Sequence, residues 1–383
     1  MRIMLAGAGG YGTGYVREIL KRTDVTFEGI VDPFAEKSAV WPEIQAADIP
    51  VFDTMDAFYA SHGAELAVIA APTFLHREYS INALSHGSNV LCEKPAAPTE
   101  RDVRQMQEAE KEYGGFIGIG FQWSYSAAIL TLKRDILSGR LGRPEKLRTF
   151  ISWPRNHAYY RNRGWGGRLS INGEPLLDSI ASNACGHYLH NMLFVQGPAL
   201  SQSAEATSLR GACLRANDIE SFDTCALLFT VDTGAECLFI ASHAAGRERD
   251  PEFVYTFSEA EVRFGPDTGG HVKAFFRDGS EKDYGDPFEG GIAPKLAANI
   301  EACRTWKTAS LNKNEGAGEG PVCGTGTALP HVKAVEMIHR EIPIRNFPAE
   351  AVREDPDFAG VYVPGLYEKL AAMYESGKLE SLL

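Results

Sequence analysis

The first 32 residues, MRIMLAGAGGYGTGYVREILKRTDVTFEGIVD, contain the pattern from which the fold can be inferred. Residues 3–6 form a short apolar run that ends at Gly7, and a helical pattern follows over residues 12–21. A second apolar run, residues 25–31, ends at Asp32. Apolar strand, glycine turn, helix and second strand make up the repeating unit of a parallel sheet that is covered on both faces.

The same alternation continues as far as residue 120. Further strand candidates are residues 66–70, 89–92 and 116–120, and the helical patterns between them are residues 75–86 and 99–113. Each of these helices is followed by a glycine, Gly87 or Gly114, which is a common stop signal. We therefore predict an α/β fold whose N-terminal part is a Rossmann-type, doubly wound parallel sheet.

After residue 122 the pattern changes. Strand candidates with alternating apolar residues and hairpin-spaced turns are residues 224–231, 236–243, 254–257 and 272–276. Such spacing predicts an antiparallel sheet, here within an α+β domain. We therefore expect two domains, residues 1–122 and residues 123–383.

Composition narrows the class of partner. The 383 residues include 50 acidic and 38 basic side chains, and this net charge of −12 disfavours nucleic acid and anionic membranes. There is no secretory signal pattern, no stretch long enough to span a bilayer and no metal-ligand spacing, and the seven cysteines include no CxxC pair. We expect a cytoplasmic protein that acts on a small molecule and binds no metal.

The glycine turn has the spacing of a dinucleotide site. Gly7-Ala8-Gly9-Gly10-Tyr11-Gly12 is GxGxxG directly after a strand and at the start of a helix, where backbone amides can receive a pyrophosphate. Asp32 follows 20 residues after Gly12, at the position where a carboxylate binds ribose hydroxyls. The predicted cofactor is NAD, because Asp32 would repel a 2′-phosphate, although Lys37 leaves NADP open. The predicted cofactor-binding residues here are Gly7, Gly9, Gly10, Tyr11, Gly12 and Asp32.

A second motif, Glu93-Lys94-Pro95, follows the strand candidate at residues 89–92. The carboxyl ends of parallel strands are where open α/β sheets bind ligands. A lysine shielded from water beside a nicotinamide would have a lowered pKa and could exchange a proton with a substrate hydroxyl. Taken alone, these three residues fit a surface lysine before a turn better, because most lysines are solvated.

The order of these motifs, with Ala71-Pro72-Thr73 and His76 ahead of Glu93-Lys94-Pro95, resembles the glucose–fructose oxidoreductase/inositol dehydrogenase/MocA (Gfo/Idh/MocA) family. The resemblance is close over the first 125 residues and extends in outline beyond them. It implies an NAD(P)-dependent oxidoreductase that transfers a hydride between nicotinamide and a hydroxyl or carbonyl of a sugar, polyol or sugar-derived compound. It also implies a catalytic Lys94. The further predicted cofactor-binding residues are Pro72, Thr73, His76, Glu93 and Lys94, although His76 could instead simply begin its helix.

The resemblance assigns a role to each predicted domain. The first would bind the dinucleotide, and the second would bind the substrate. The second would also carry a large open antiparallel sheet that assembles the chain into a homodimer or homotetramer.

The family's second motif is an Asp four residues before a His, a spacing that puts both on one helical face. His187 fits the histidine, and Asn183 stands at the Asp position. Either an insertion separates Asp178 from His187, or an amide has replaced the carboxylate. We favour the amide, because a helical pattern over residues 183–195 keeps the spacing. An amide cannot act as a base, so Lys94 and His187 are expected to move the proton while Asn183 orients the hydroxyl.

Residues 153–168 are rich in aromatic and arginine side chains. Aromatic rings stack on sugars, and arginines suit a carboxylate or a phosphate. The same composition also fits a loop packed on a neighbouring subunit. The predicted substrate-binding residues are Trp123, Tyr160, Arg163, Trp165, Asn183 and His187.

Two other functions remain open. NAD could serve as a transient oxidant in a hydrolase or an epimerase, and the amide at Asn183 leaves room for this chemistry. The fold could also be a non-catalytic sensor of NAD or sugar, although a sensor needs neither Lys94 nor His187.

Overall fold

The computed structural model describes residues 1–162, 164–311 and 320–382. Backbone packing divides them into two compact units, the first made of Met1–Tyr125 and Phe288–Leu329, and the second of Ser126–Pro287 and Pro330–Leu383. The sequence-based division at residue 122 treats the chain as two continuous domains, whereas the chain returns to its first unit after Pro287.

The first unit contains a six-stranded parallel sheet in the order β3-β2-β1-β4-β5-β6. Its strands are β1 (Arg2–Ala6), β2 (Thr26–Val31), β3 (Val51–Phe52), β4 (Leu66–Ile69), β5 (Asn89–Cys92) and β6 (Ile117–Ile119). The helices between them are α1 (Gly12–Leu20), α2 (Trp41–Ala46), α3 (Met55–Tyr59), α4 (His76–Ser85) and α5 (Glu100–Tyr113). This order confirms the predicted doubly wound sheet, and its strand order reverses between β1 and β4.

The sequence predicts the central strands of this sheet well because they are apolar on both faces. Every residue of β4 is buried, as are the last four residues of β1. The edge strand β3 has only two residues, neither of them buried, and is absent from the prediction.

The second unit is built on a nine-stranded sheet in the order β16-β15-β14-β13-β7-β12-β11-β10-β17. Along the chain from residue 126 the elements are α6 (Ala127–Leu137), β7 (Pro144–Ser152), α7 (His157–Arg161), β8 (Ser170–Ile171), β9 (Glu174–Pro175), α8 (Gly186–Phe194), β10 (Ala206–Arg215), β11 (Thr224–Val231), β12 (Glu236–Ser242), β13 (Arg249–Phe257), β14 (Ala260–Phe264), β15 (Val272–Phe276), β16 (Glu281–Gly285), α9 (Ala293–Leu311), α10 (Thr325–Glu341), β17 (Ile344–Asn346), β18 (Arg353–Asp355), β19 (Gly360–Tyr362) and α11 (Leu366–Ser376). Of these, α9 and the start of α10, as far as Leu329, belong to the first unit.

The large sheet is mixed rather than wholly antiparallel. Strand β7 runs parallel to β12, and β10 runs parallel to β17, while the other neighbouring pairs are antiparallel. Parallel neighbours need long connections, and β7 is separated from β12 by more than 80 residues. Local hairpin spacing therefore reveals the antiparallel pairs and misses the parallel ones.

Helix α11 packs against part of this sheet. Phe150 of β7 and Leu238 and Ile240 of β12 share a buried cluster with Leu370 and Met373 of α11. The last helix of the chain thus packs against strands β7 and β12 near the middle of the sheet.

Helix α9 returns to the parallel sheet of the first unit. Leu296, Ile300 and Cys303 are buried in the same cluster as Leu5 of β1 and Leu91 of β5. A parallel sheet needs cover on both faces, and α9 supplies part of it from a point some 200 residues further along the chain.

Ile300→Ala is expected to lower the free energy of unfolding of the first unit by about 2–5 kcal/mol, because it leaves a cavity beside Leu91. The measurement is urea unfolding followed by circular dichroism. Glu301→Ala, an exposed position on the same helix, should change it by less than about 0.5 kcal/mol. Equal effects of the two substitutions would contradict the assignment of α9 to this core.

A buried basic cluster lies in the second unit. The ring of His190 stacks on Phe194 at 5.7 Å between centroids and lies 6.3 Å from the ring of His331. Lys133 is fully buried, and its Nζ lies 3.7 Å from the centre of the Phe194 ring. Burial lowers the pKa of His190 well below its usual value, and His331 and Lys133 act in the same direction.

This shift predicts an acid-sensitive second unit. Folded His190 stays neutral, whereas in the unfolded chain it takes up a proton below about pH 6.5, so stability falls as the pH decreases through that value. His190→Gln should therefore lose less unfolding free energy than the wild type between neutral pH and pH 5, as measured by urea titrations. Parallel pH dependences in the two proteins would refute this.

Within the described ranges, no helix combines the length and the apolar character that crossing a membrane requires. All seven cysteines are buried and none forms a disulfide.

Candidate functional site

The glycine loop after β1 is shaped by a close backbone approach. A Cβ atom on Gly12 would lie 2.0 Å from the carbonyl oxygen of Gly7, so only glycine fits there. Above Gly9 and Gly10, by contrast, an added Cβ would meet nothing within 4 Å. The backbone at the start of α1 is therefore tightly packed at Gly12 and open at Gly9 and Gly10. The open side leaves room for a pyrophosphate group.

Asp32 is fixed at the end of β2 by two backbone amides. Its Oδ2 accepts a hydrogen bond from Ala8 N at 2.9 Å, and its Oδ1 accepts one from Phe34 N at 2.8 Å. The carboxylate thus lies directly against the glycine loop, as ribose recognition requires. Lys37, the residue that leaves NADP open, has its Nζ 5.0 Å from the centre of the exposed Phe34 ring.

Tyr11 connects the glycine loop to the end of the sheet. Its hydroxyl donates a hydrogen bond to Gln122 Oε1 at 2.9 Å, and its side chain is partly exposed. Trp123, predicted to bind substrate, is buried, and its ring lies 5.3 Å from that of Phe288 in an edge-on contact.

His76 joins two loops at the carboxyl edge of the parallel sheet. It begins α4, is buried, and its Nδ1 and Nε2 lie 2.8 and 2.9 Å from the carbonyl oxygens of Pro95 and Ala71. A neutral imidazole can donate to only one of these acceptors at a time. The structure therefore places His76 between the loops that follow β4 and β5. Pro72 is half-buried and Thr73 is buried in the turn that leads into α4.

Lys94 lies just beyond β5, at the same sheet edge as the glycine loop and Asp32. Its side chain is half-buried, and its backbone N–H donates to Glu93 Oε2 at 3.2 Å. Glu93 itself is buried and accepts a hydrogen bond from the Tyr15 hydroxyl at 2.7 Å. The carboxylate of Glu93 also forms an ion pair with Lys295 of α9.

In the second unit, both candidates for the Asp position are hydrogen-bonded to each other. Asn183 Nδ2 donates to Asp178 Oδ1 at 2.9 Å, and Gly167 N donates to Asp178 Oδ2 at 2.6 Å. His187 is half-buried in the first turn of α8. A carboxylate, an amide and an imidazole therefore come from one short stretch of chain.

The prediction that the helix runs from residue 183 is wrong, because α8 begins at Gly186. Asn183 lies in a turn instead. The hydroxyls of Ser179 and Ser182 each accept a hydrogen bond from the other residue's backbone N–H, at 3.2 and 2.8 Å. Such side-chain-to-backbone bonds compete with helix formation, which explains the later start.

The aromatic segment is only partly described, since Arg163 lies outside the described residues. Trp165 is half-buried. The Tyr160 ring lies 5.0 Å from that of Tyr159 and 6.4 Å from that of His243. Burial is the main reason why the pKa of the Tyr160 hydroxyl lies well above its usual value, and the negative charge of Asp223 is the second.

Sequence reasoning missed Arg155 and His243. The Arg155 guanidinium lies 5.5 and 5.1 Å from the ring centres of Trp153 and Tyr159, and it lines a cavity of about 430 Å³. Its Nε is buried and has no hydrogen-bond partner in the described part of the chain. The Nδ1 atom of His243 lies 2.7 Å from the carbonyl oxygen of Trp153.

A weak signal for both residues exists in the sequence. Arg155 follows β7 and His243 follows β12, so each is a polar residue after an apolar strand. Only the parallel pairing of these two strands brings their ends together, and that pairing is not visible locally. Among the residues that the structure covers, no three His, Cys, Asp or Glu side chains are grouped as metal ligands would be.

Comparison with known proteins supports the dinucleotide-binding fold of the first unit. The sequence profile described as "Oxidoreductase family, NAD-binding Rossmann fold" matches residues 1–121. Over these residues, the chain matches the sequence profile of the Gfo/Idh/MocA oxidoreductase family. The predicted NAD-binding fold is thereby confirmed.

Two curated proteins that are similar to part of this chain carry different enzyme names. Inositol 2-dehydrogenase of Acidothermus cellulolyticus is 30% identical over 148 residues, which are 38% of this chain and 42% of that protein. The 2,7-anhydro-N-acetylneuraminate hydratase of Mediterraneibacter gnavus is 26% identical over 139 residues, 36% of each protein. This chain thus matches about two fifths of the length of these relatives.

A solved structure resembles more of the chain. The WlbA dehydrogenase of Bordetella pertussis, in complex with NADH and UDP-GlcNAcA, has a TM-score of 0.70 and 21% identity. The alignment covers 88% of this chain and 95% of WlbA. At this identity the likeness shows a shared fold.

Asp32→Asn is expected to weaken NADH binding about tenfold or more, because a charged hydrogen-bond acceptor is lost while the shape is kept. NADPH binding should suffer less, since the repulsion of its 2′-phosphate is relieved. Calorimetric titration with both cofactors measures this, and Asp53→Asn, an exposed position after β3, is the control. An unchanged affinity for NADH would exclude Asp32 from the cofactor site.

Proposed function

We propose that this chain is an NAD-dependent oxidoreductase that interconverts a hydroxyl and a carbonyl group of a sugar, polyol or sugar acid. The observation that carries the proposal is the position of Lys94, at the sheet edge that also presents the open glycine loop and Asp32. The names of the inositol dehydrogenase and of WlbA support the same class of reaction.

The proposal assigns the proton to the protein's own side chains. Nicotinamide, when bound, supplies the acceptor or donor of the hydride. Oxidation of a hydroxyl also releases a proton, and Lys94 is proposed to take it, because a lysine in a partly buried position can have the required basicity. In the second unit, His187 is proposed to share this task.

Asn183 and Asp178 are proposed to orient substrate hydroxyls. Their mutual hydrogen bond fixes the amide of Asn183, and the backbone N–H of Gly167 fixes the carboxylate of Asp178. Side chains held in this way position a ligand at little entropic cost.

Arg155 supports an acidic substrate. Its guanidinium is flanked by aromatic rings and takes part in no ion pair within the described ranges. A half-buried guanidinium without a carboxylate partner favours binding of an external anion, such as the carboxylate of a sugar acid. UDP-GlcNAcA in the WlbA complex also contains such a carboxylate.

The two units would then have different roles. The first unit binds NAD, and the second binds the substrate and carries the contacts of a homodimer or homotetramer. Sedimentation velocity would measure the assembly.

Lys94→Met is expected to lower kcat/KM at least about 100-fold, because the proton acceptor is lost, while NADH binding changes less than about threefold. The assay is NADH absorbance with a panel of polyols, sugars and sugar acids. Lys111→Met, at an exposed position on α5, should behave as the wild type. Full turnover in Lys94→Met would contradict the proposal.

A second candidate function is an elimination, hydration or epimerisation that uses NAD as a transient oxidant. The name of the Mediterraneibacter gnavus relative, a hydratase, favours it, as does the amide at Asn183. In that case mass spectrometry or NMR would detect a product that depends on Lys94 while the NADH absorbance shows no net change.

A further inference from the structure

Lys295 is a fully buried lysine at the start of α9. Its ammonium group forms an ion pair with Glu93 Oε1 and lies 3.3 Å from the Tyr11 hydroxyl and 3.4 Å from the Gly120 carbonyl oxygen. A buried ammonium is costly unless it is paired and hydrogen-bonded. This position therefore has a specific arrangement of partners.

The same ammonium contacts both parts of the candidate cofactor site in the first unit. It lies 4.5 Å from the centre of the Tyr11 ring, which belongs to the glycine loop, and 5.2 Å from that of Tyr15. Through Glu93 it also reaches the residue next to Lys94. Lys295 thus links the glycine loop to the Glu93-Lys94-Pro95 segment.

The ion pair determines what the Glu93 carboxylate can bind. One of its oxygens, Oε1, is occupied by Lys295 and by the Tyr15 hydroxyl, and Oε2 accepts the backbone N–H of Lys94. Among the described residues, Tyr11, Tyr125, His76 and Cys92 also feel its charge. Burial lowers the pKa of Lys295, and Glu93 opposes that shift, as expected of a pair that carries no net charge.

We propose that Lys295 is a positioning residue that neutralises Glu93 and thereby keeps the neighbouring Lys94 able to give up its proton. Without Lys295, a buried carboxylate next to Lys94 would have no cation, and the Lys94 ammonium would take that place. Lys94 would then hold its proton more tightly. The inference rests on the proposed function only for its catalytic consequence.

The first experiment measures the protonation of Lys94 without any substrate. Full-length protein is labelled with acetic anhydride at a series of pH values, and labelling of the Lys94 peptide is measured by mass spectrometry. In Lys295→Met the midpoint of Lys94 labelling should move upward by about one pH unit, as expected of a newly close opposite charge. In the double variant Glu93→Gln/Lys295→Met it should return to the wild-type value, because no carboxylate remains.

A matched control is Lys133→Met in the second unit. Lys133 is as fully buried as Lys295, and its Nζ donates to the Gln202 carbonyl oxygen at 2.5 Å. This substitution should reduce stability and leave the Lys94 labelling curve unchanged.

The outcomes separate the two proposals. A wild-type labelling midpoint in Lys295→Met, or a shifted one in the double variant, would overturn the role of Lys295. If Lys295→Met does not fold, the double variant and Lys295→Arg, which keeps the charge, must both show the wild-type midpoint. Undiminished turnover in Lys94→Met would instead remove the catalytic role of Lys94 and leave the labelling result intact.

In the catalytic assay, the alkaline shift should appear in the pH profile of kcat in Lys295→Met, with KM for NAD changed less than about threefold. A merely structural role would lower the amount of active protein without moving the profile.

Discussion

The parallel sheet of the first unit has to be covered on both faces, and much of the remaining architecture follows from this constraint. Its central strands are apolar at nearly every position, so neither face tolerates water. The helices between the strands cannot meet this need alone. The chain therefore returns with α9 after eight of the nine strands of the second unit's large sheet have been traversed.

The returning helix also brings charge to a site that local sequence cannot complete. Glu93 is buried, and a buried carboxylate requires a cation or several donors. Tyr15 supplies one donor, and the cation is Lys295, more than 200 residues away in the sequence. A core-packing element and an electrostatic partner of the candidate site are thus parts of one helix.

The sequence permits prediction of whatever depends on near neighbours. The glycine loop, Asp32 and the strand before Lys94 all belong to the strand–helix alternation of the first 120 residues, and each lies where its spacing implies. The start of α8 was misjudged, because hydroxyl bonds of Ser179 and Ser182 decide it rather than apolar periodicity. Arg155, His243 and Lys295 depend on contacts between distant segments, which are not visible in the local sequence. The position of Arg155 and His243 after apolar strands is only a weak signal.

The late return of α9 has a consequence for synthesis of the protein. At about 5–20 residues per second, roughly 10 to 40 s pass between completion of the last strand of the parallel sheet and emergence of α9. During that interval the surface around Leu91 that Leu296 and Ile300 later cover is exposed to water. The nascent first unit is therefore an aggregation-prone folding intermediate on the ribosome. Its hydrophobic core is completed only after most of the second unit has been translated.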